Sequence, residues 1–560
     1  MKKSILLLIS IATLASCGQT NITSDNNGSI DSQGSTSDSS IQEKVFVDEE
    51  KAENRIDDNY RNFYEIFVPS YADSNGDHVG DLNGITAKLP EIASIGYTGI
   101  WLSPIFKSNT YHKYDASDYF TIDPSFGTMD DLKTLVSTAH SLGIKIILDG
   151  VFNHSGENNE WFSTAMIAHR KELQDETLTD EEKNYASLYV FYDTEEDAKK
   201  SGSTYYKAGG NNFYYEANFS SNMPEFNFDS EFTYTKIQSI IDFYMADDIG
   251  VDGFRLDAVK YYKLGNTEEN VKILSRISKM IKDNNPDGYA VGECWSTNYD
   301  ITQYYQSDLD SYFWFPASTN GGFITSSFSN EGRLKGLYYR GAQGMEESAG
   351  SHIPAPFIDN HDMGRVAFGN NASKTKFNLG LLGMLTGNTF TYYGDEIGMN
   401  SSNLSDGDYK DSSYRTHYYW DDETHEMECD DVEHALTQKS NYPAFNQQKE
   451  DENSILNYVK KVNHLRNTYP FIARGKTLDM NEKEEEMIDT PSVNLLAFRK
   501  EYEGKESMIV INFSATNSEE YIVEDGYEPK AVLLADVEKK ATYKDNVLTL
   551  PSYSIAILEK

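Results

Sequence analysis

Between Asn62 and about Ala473, short apolar runs alternate with segments whose apolar residues recur every three or four positions. Phe63–Val68, Gly99–Leu102 and Ile144–Leu148 are nearly continuous in apolar residues, as parallel strands covered on both faces are. Runs of the same kind follow at Val251–Asp257, Tyr289–Glu293, Tyr312–Phe315, Pro356–Asp359 and Thr389–Tyr393. The intervening spacing predicts helices. Thr128 with Asp131 has the form of a capping box, Leu132, Leu135, Val136 and Ala139 share one helical face, and Gly143 stops the helix before the next strand. Ile237, Ile240, Ile241, Tyr244 and Met245 repeat that spacing. Eight strands in βα alternation predict an α/β fold of the (β/α)8 TIM barrel type.

Two stretches break the alternation. Residues 153–222 are polar and rich in tyrosine where one helix would suffice, which predicts a small inserted domain after the third strand. After about Ala473 the pattern turns to period two, as in Val493–Phe498, Ser507–Asn512 and Ser554–Leu558, so a C-terminal antiparallel β-sandwich is expected over 473–560. The barrel then occupies 55–152 and 223–472. Ahead of it, Met1-Lys2-Lys3, the apolar run Ile5–Leu14 and Leu14-Ala15-Ser16-Cys17 resemble a bacterial lipoprotein signal over 1–16. This implies export and membrane anchoring through a lipidated Cys17, with the Ser-, Asn-, Asp- and Gly-rich stretch 17–54 as a flexible tether.

Charge narrows the partners. In 560 residues, 49 basic and 89 acidic side chains give a net charge of −40, which argues against nucleic acid and against direct contact with anionic membranes. A neutral substrate fits better, the membrane is reached only through the lipid anchor, and a monomer is expected. The cysteines Cys17, Cys294 and Cys429 are too few for a disulfide framework.

Polar residues at the C-terminal ends of barrel strands are the default site for chemistry, because the interior below them is packed. Four strands end this way, at Asp149-Gly-Val-Phe-Asn153-His154, Arg255-Leu-Asp257, Gly292-Glu293, and Asp359-Asn-His361-Asp362. Strand pleating puts Arg255 and Asp257 on one side, so the guanidinium can keep Asp257 ionised. Glu293, beside Cys294 and Trp295 and near other acids, is where desolvation and like charge would raise a carboxyl pKa. An ionised and a protonated carboxyl about 5 Å apart are what a retaining glycosidase needs.

At these residues the chain resembles glycoside hydrolase family 13, the α-amylase family. Asp149–His154, Gly253–Lys260, Gly292–Trp295 and Phe357–Asp362 look like its four short motifs, in order. The resemblance implies Asp257 as nucleophile, Glu293 as acid/base and Asp362 as the third acid. It implies substrate binding by His112, Tyr114, Asp149, His154, Arg255, Lys260 and His361, with Tyr114 in the segment that stacks under the sugar. The implied activity is retaining hydrolysis of α-1,4 bonds in starch, glycogen and maltooligosaccharides, with Ala258 and Lys260 resembling the α-1,4 pattern. Two motifs depart from the family's usual residues: Tyr261 follows Lys260 where many α-amylases have His, and Glu225-Phe226 stands in place of Asp-Leu. A glucan transferase, an α-1,6-cleaving relative, or a silent surface glucan-binding protein are the alternatives.

Asp73-Ser-Asn75-Gly-Asp77-His-Val79-Gly-Asp81 places oxygen donors at alternate positions with glycines for tight turning, the chemistry of a calcium loop. The expected ligands are the side chains of Asp73, Asn75, Asp77 and Asp81 and the Val79 carbonyl, holding a structural calcium. Tyr205-Tyr206, Phe213-Tyr214-Tyr215 and Tyr418-Tyr419-Trp420 are open to two readings, sugar-stacking platforms or core.

Overall fold

The computed structural model describes residues 58–318, 321–326, 331–400, 410–430, 442–478 and 492–560. The signal segment, Cys17 and the tether over 17–54 lie outside the described residues. Seven parallel strands form one sheet, in chain order Asn62–Ile66, Gly99–Leu102, Lys145–Gly150, Gly253–Leu256, Tyr289–Gly292, Ser311–Tyr312 and Thr389–Tyr392. The expected seventh strand at Pro356–Asp359 is reduced to two parallel bridges, Phe313 to Ala355 and Phe357 to Phe390, which join the sixth strand to the last. The chain needs only that much pairing there, since Phe313, Phe315, Phe357 and Phe390 pack ring against ring across the gap. A (β/α)8 TIM barrel with a C-terminal β-sheet domain results.

Helices form where the periodicity placed them, and their ends are chemically defined. Thr128 and Asp131 make the reciprocal capping box that opens Met129–Ser141. Asp81 caps Leu82–Ile95 by accepting from the Gly84 N–H. One glycine matters for the site: Gly253 begins the fourth strand so close to the fifth that a Cβ would lie 1.9 Å from the Tyr289 carbonyl oxygen. The two strands can approach only because that position has no side chain.

Within 153–222 lie the helices Glu160–Leu173, Asp180–Ala186 and Glu195–Ser201 and a three-stranded antiparallel sheet of Phe191–Tyr192, Tyr205–Lys207 and Tyr214–Glu216. A hairpin of Phe106–Ser108 and Ala116–Ile122 rises from the loop after the second strand. Its first arm has only three residues and its pairing is irregular in register.

The C-terminal region has a five-stranded and a three-stranded antiparallel sheet. Its period-two pattern separates two cores. Leu495, Ala497, Met508, Val510, Ala556 and Leu558 pack with Tyr521, Leu548 and Leu550 of the smaller sheet. The intervening Leu496, Phe498, Ile509, Ile511, Ile555 and Ile557 face the other way, into the barrel's own apolar core. Among the described residues no helix is long and apolar enough to cross a membrane.

Candidate active site

Register carries the acids to one place. Leu256 pairs with Gly150 on the third strand and with Gly292 on the fifth, so Asp257 and Glu293 each follow a paired position on adjacent strands. Neighbouring strands lie about 4.8 Å apart. Arg255, only 1% exposed, holds the cluster: its Nη1 donates to Asp149 at 2.8 and 3.0 Å and to Asp257 Oδ1 at 2.7 Å, and its Nη2 meets Glu293 Oε2 at 2.9 Å. Glu293 Oε2 also accepts from the Ala258 N–H at 3.0 Å. Burial, with Asp257 and Asp362 adding, pushes the Glu293 carboxyl up to about 7 against the opposing pull of Arg255 and the Ala258 N–H.

A second chain of contacts joins the first strand to the segment that follows Asp359. Glu65 Oε1 lies 2.6 Å from His361 Nδ1, and His361 Nε2 lies 2.9 Å from the Tyr114 hydroxyl and 3.2 Å from Asp362 Oδ2. Tyr114 in turn donates to Asp149 Oδ2 at 2.9 Å, which ties the two chains together. Burial would lower the His361 pKa, but Asp362 and Glu65 on either side hold it above its ordinary value. Burial would raise Asp362, but His361, Arg415 and Arg255 hold it below the usual carboxylate range. Arg415 donates to Asp362 Oδ1 at 2.7 Å, to the His361 carbonyl at 3.0 Å and to the Tyr111 hydroxyl at 2.8 Å.

Three comparisons bear on this arrangement. A family model for the α-amylase catalytic domain matches residues 65–475. The chain belongs to the α-amylase family. It is 34% identical over 466 residues to alpha-amylase 3 of Dictyoglomus thermophilum, across 81% of this chain and 85% of that protein. Eubacterium rectale Amy13B, a solved structure 33% identical, superposes with a TM-score of 0.82 over 91% of this chain and 97% of that one. The glucan 1,6-alpha-glucosidase of Streptococcus pneumoniae is 30% identical over 364 residues, 60% of this chain and 64% of that protein. The protein is therefore an α-amylase-family glycoside hydrolase.

The remaining expected residues of this glycosidase fall around the cluster in different ways. Both oxygens of Asp149 are engaged by Arg255 and Tyr114, behind the cleft floor. His154 is buried, its Nε2 on the Tyr114 carbonyl at 3.1 Å and its Nδ1 near the Asn153 amide, so a sugar contact would have to displace one of these. His112 Nδ1 accepts the Tyr114 N–H at 3.1 Å and fixes the turn carrying that ring, while burial, with Arg415, lowers its pKa to about 4. Lys260 reaches the Trp295 carbonyl at 2.5 Å. The departing Tyr261 packs on Phe219 of the insert with ring centres 4.6 Å apart. Glu225, the other departure, is buried and bonded to Asn218.

Of the aromatic groups, Tyr418, Trp420, Phe213 and Tyr215 are core, while Tyr206 is exposed. Trp295 is 45% exposed and stacks on Phe315 at 5.0 Å beside Glu293. Sequence reasoning missed Glu65 and Arg415. An acid inside the apolar first strand was a signal for Glu65; Arg415 stands in no motif, and only the fold brings it 53 positions back to Asp362.

The Asp73–Asp81 loop has a different character. Asp73 accepts the N–H groups of Asn75, Gly76 and His78, Asn75 accepts that of Asp77, and Asp77 accepts that of Val79. Asp81 accepts from Ser74 and Gly84. Among the described residues no three His, Cys, Asp or Glu side chains converge on a point suited to a metal ion. Hard oxygen donors suit calcium chemically, and those of Asp73, Asn75 and Asp77 also accept N–H groups of the loop.

Proposed function

We propose that this enzyme cleaves α-1,4-glucosidic bonds within starch, glycogen and maltooligosaccharides with retention of configuration, Asp257 attacking and Glu293 protonating. The observation that carries it is the placement of Asp257 and Glu293 side by side at the ends of adjacent strands, on one buried guanidinium, with Glu293 pushed up to about 7. A single guanidinium that bridges both carboxyls, at 2.7 Å from Asp257 and 2.9 Å from Glu293, favours the close spacing of about 5 Å in retaining enzymes over the wider gap an inverting water needs.

In the first step Asp257 bonds to the anomeric carbon as the glycosidic bond breaks, and the Glu293 proton passes to the departing oxygen. Arg255 occupies Asp257 Oδ1, which leaves Oδ2 to attack. In the second step the Glu293 carboxylate takes a proton from water, which displaces Asp257 and frees the sugar. Asp362, kept ionised by His361 and Arg415, holds sugar hydroxyls next to the charge that develops on the ring. Lys260 would exchange the Trp295 carbonyl for a hydroxyl on the leaving side, and the small Ala258 leaves room for an α-1,4-linked leaving sugar.

The tests are product profiles on starch, pullulan and maltoheptaose, with kcat/KM for isomaltotriose and maltotetraose. Short maltooligosaccharides and a preference for maltotetraose are expected; a preference for isomaltotriose would overturn the α-1,4 assignment, and net transfer products would make the enzyme a transferase. Calcium at Asp73, Asn75, Asp77, Val79 and Asp81, and export with lipidation at Cys17, belong to the same proposal. The first is supported by the alternating donors, the second by the N-terminal sequence.

A further inference from the structure

The turn after Asp257 is strained, and the strain has a direction. Ala258 is buried and has φ of +50°, the left-handed region that a residue with a Cβ disfavours. A left-handed residue can turn successive N–H groups to the same side. Here both point at one residue. The Ala258 N–H donates to Glu293 Oε2 at 3.0 Å and the Val259 N–H to the Glu293 carbonyl at 3.2 Å, while the Ala258 carbonyl accepts the Tyr261 N–H at 2.9 Å and closes the turn.

Arg255 Nη2 meets the same Oε2 at 2.9 Å. A carboxyl oxygen has two in-plane lone pairs, and two donors fill both. We infer that Ala258 is a positioning residue whose left-handed backbone, together with Arg255, fills Oε2 of Glu293, so that the acid's proton is carried, delivered and recovered at Oε1. This rests on the proposed roles of Asp257 and Glu293. The Oε1–H bond breaks as its proton passes to the glycosidic oxygen, the bonding pair stays on Oε1, and the same oxygen later takes a proton from water. Without the N–H, the second lone pair of Oε2 would be open to the proton, and half of the acid's arrangements would aim it away from the substrate.

Asn and Thr side chains are close in size, but Asn adopts positive φ readily and β-branched Thr resists it. Ala258→Thr is expected to lower kcat on maltoheptaose about tenfold relative to Ala258→Asn, the loss of one hydrogen bond to a group that becomes charged. Arg255, Asp257, Asp362 and Tyr262 face Glu293 and remain in both variants. With the N–H gone the ionised form loses a donor, so the alkaline limb of kcat moves up in Ala258→Thr by about one pH unit and stays in place in Ala258→Asn. Ala258→Ser gives a second comparison should the Thr variant not fold. Bulk would make Ser milder than Asn, whereas the backbone makes Asn milder than Ser. Losses ranked by side-chain size, with the limb unmoved, overturn the inference. Near-normal turnover in Glu293→Gln would instead remove the roles it rests on, a separate outcome.

Discussion

Two groups of acids in this molecule look alike in sequence and differ in the partners their carboxyls meet. At the barrel mouth, Asp149, Asp257, Glu293 and Asp362 come from four strand ends and meet buried cations, Arg255, Arg415 and His361, that are distant in sequence from most of them. In the Asp73–Asp81 loop, the side chains meet N–H groups two to seven positions away. A carboxylate that accepts the N–H groups of its own turn, as Asp73 does, is favoured in its ionised form. A carboxyl taken out of water among opposing charges can be set near neutrality, as Glu293 is. Long-range charged partners, rather than acidity of composition or burial alone, distinguish a site that can move protons from one that stabilises a turn, since Asp73 and Asp81 are as buried as Asp257 and Glu293.

The sharpest way to break this contrast is at the proposed reacting pair. Asp257→Asn and Glu293→Gln are each expected to lower starch hydrolysis by about a thousandfold or more, with the melting temperature near that of the parent. A folded Asp257→Asn enzyme with near-normal turnover would end the assignment.

Arg415→Met removes one cation from the half-buried Asp362 carboxylate and leaves His361 beside it. Destabilisation of about 1–3 kcal/mol is expected, together with a fall in kcat on maltoheptaose of about a hundredfold. Unchanged stability and kcat would show that His361 alone suffices for Asp362.

The two regions should also respond to pH with opposite sign. As the proposed acid, Glu293 acts in its protonated form, so kcat/KM is expected to fall about tenfold per pH unit above 7. Because its folded value is raised above 4.5, the folded state binds more protons than the unfolded chain up to about 7. That stability is present below 4.5 and lost as pH rises through the window, and Glu293→Gln should flatten the melting temperature there. Burial would raise Asp73, but the N–H groups of Gly76, His78 and Asn75 hold it below 3.8. Its contribution is present above 3.8 and lost as pH falls. A melting profile unaffected by Glu293→Gln would put the proton elsewhere.

The smallest effect concerns calcium. Asp77 supports only the Val79 N–H, so Asp77→Ala spares most of the loop. If calcium binds there, chelation lowers the melting temperature by a few degrees, and Asp77→Ala removes that response. No change with either leaves the loop as a turn closed by its own hydrogen bonds.

The sequence by itself determined the alternation of buried strands and one-faced helices, the capping box at Thr128 and Asp131, the period-two strands of the C-terminal region, and the strand-end acids with Arg255 two positions from Asp257. These are local properties: solvent exposure imposes them within a few residues, so they appear as periodicity or spacing. Tertiary structure decided the rest. It reduced the seventh strand to two bridges, formed the hairpin whose connecting loop carries Tyr114, brought Glu65 and Arg415 to His361 and Asp362, and turned Ala258 left-handed against Glu293. Those outcomes depend on which distant groups meet once water is excluded, and desolvation and charge pairing across hundreds of positions leave no periodic trace in the chain.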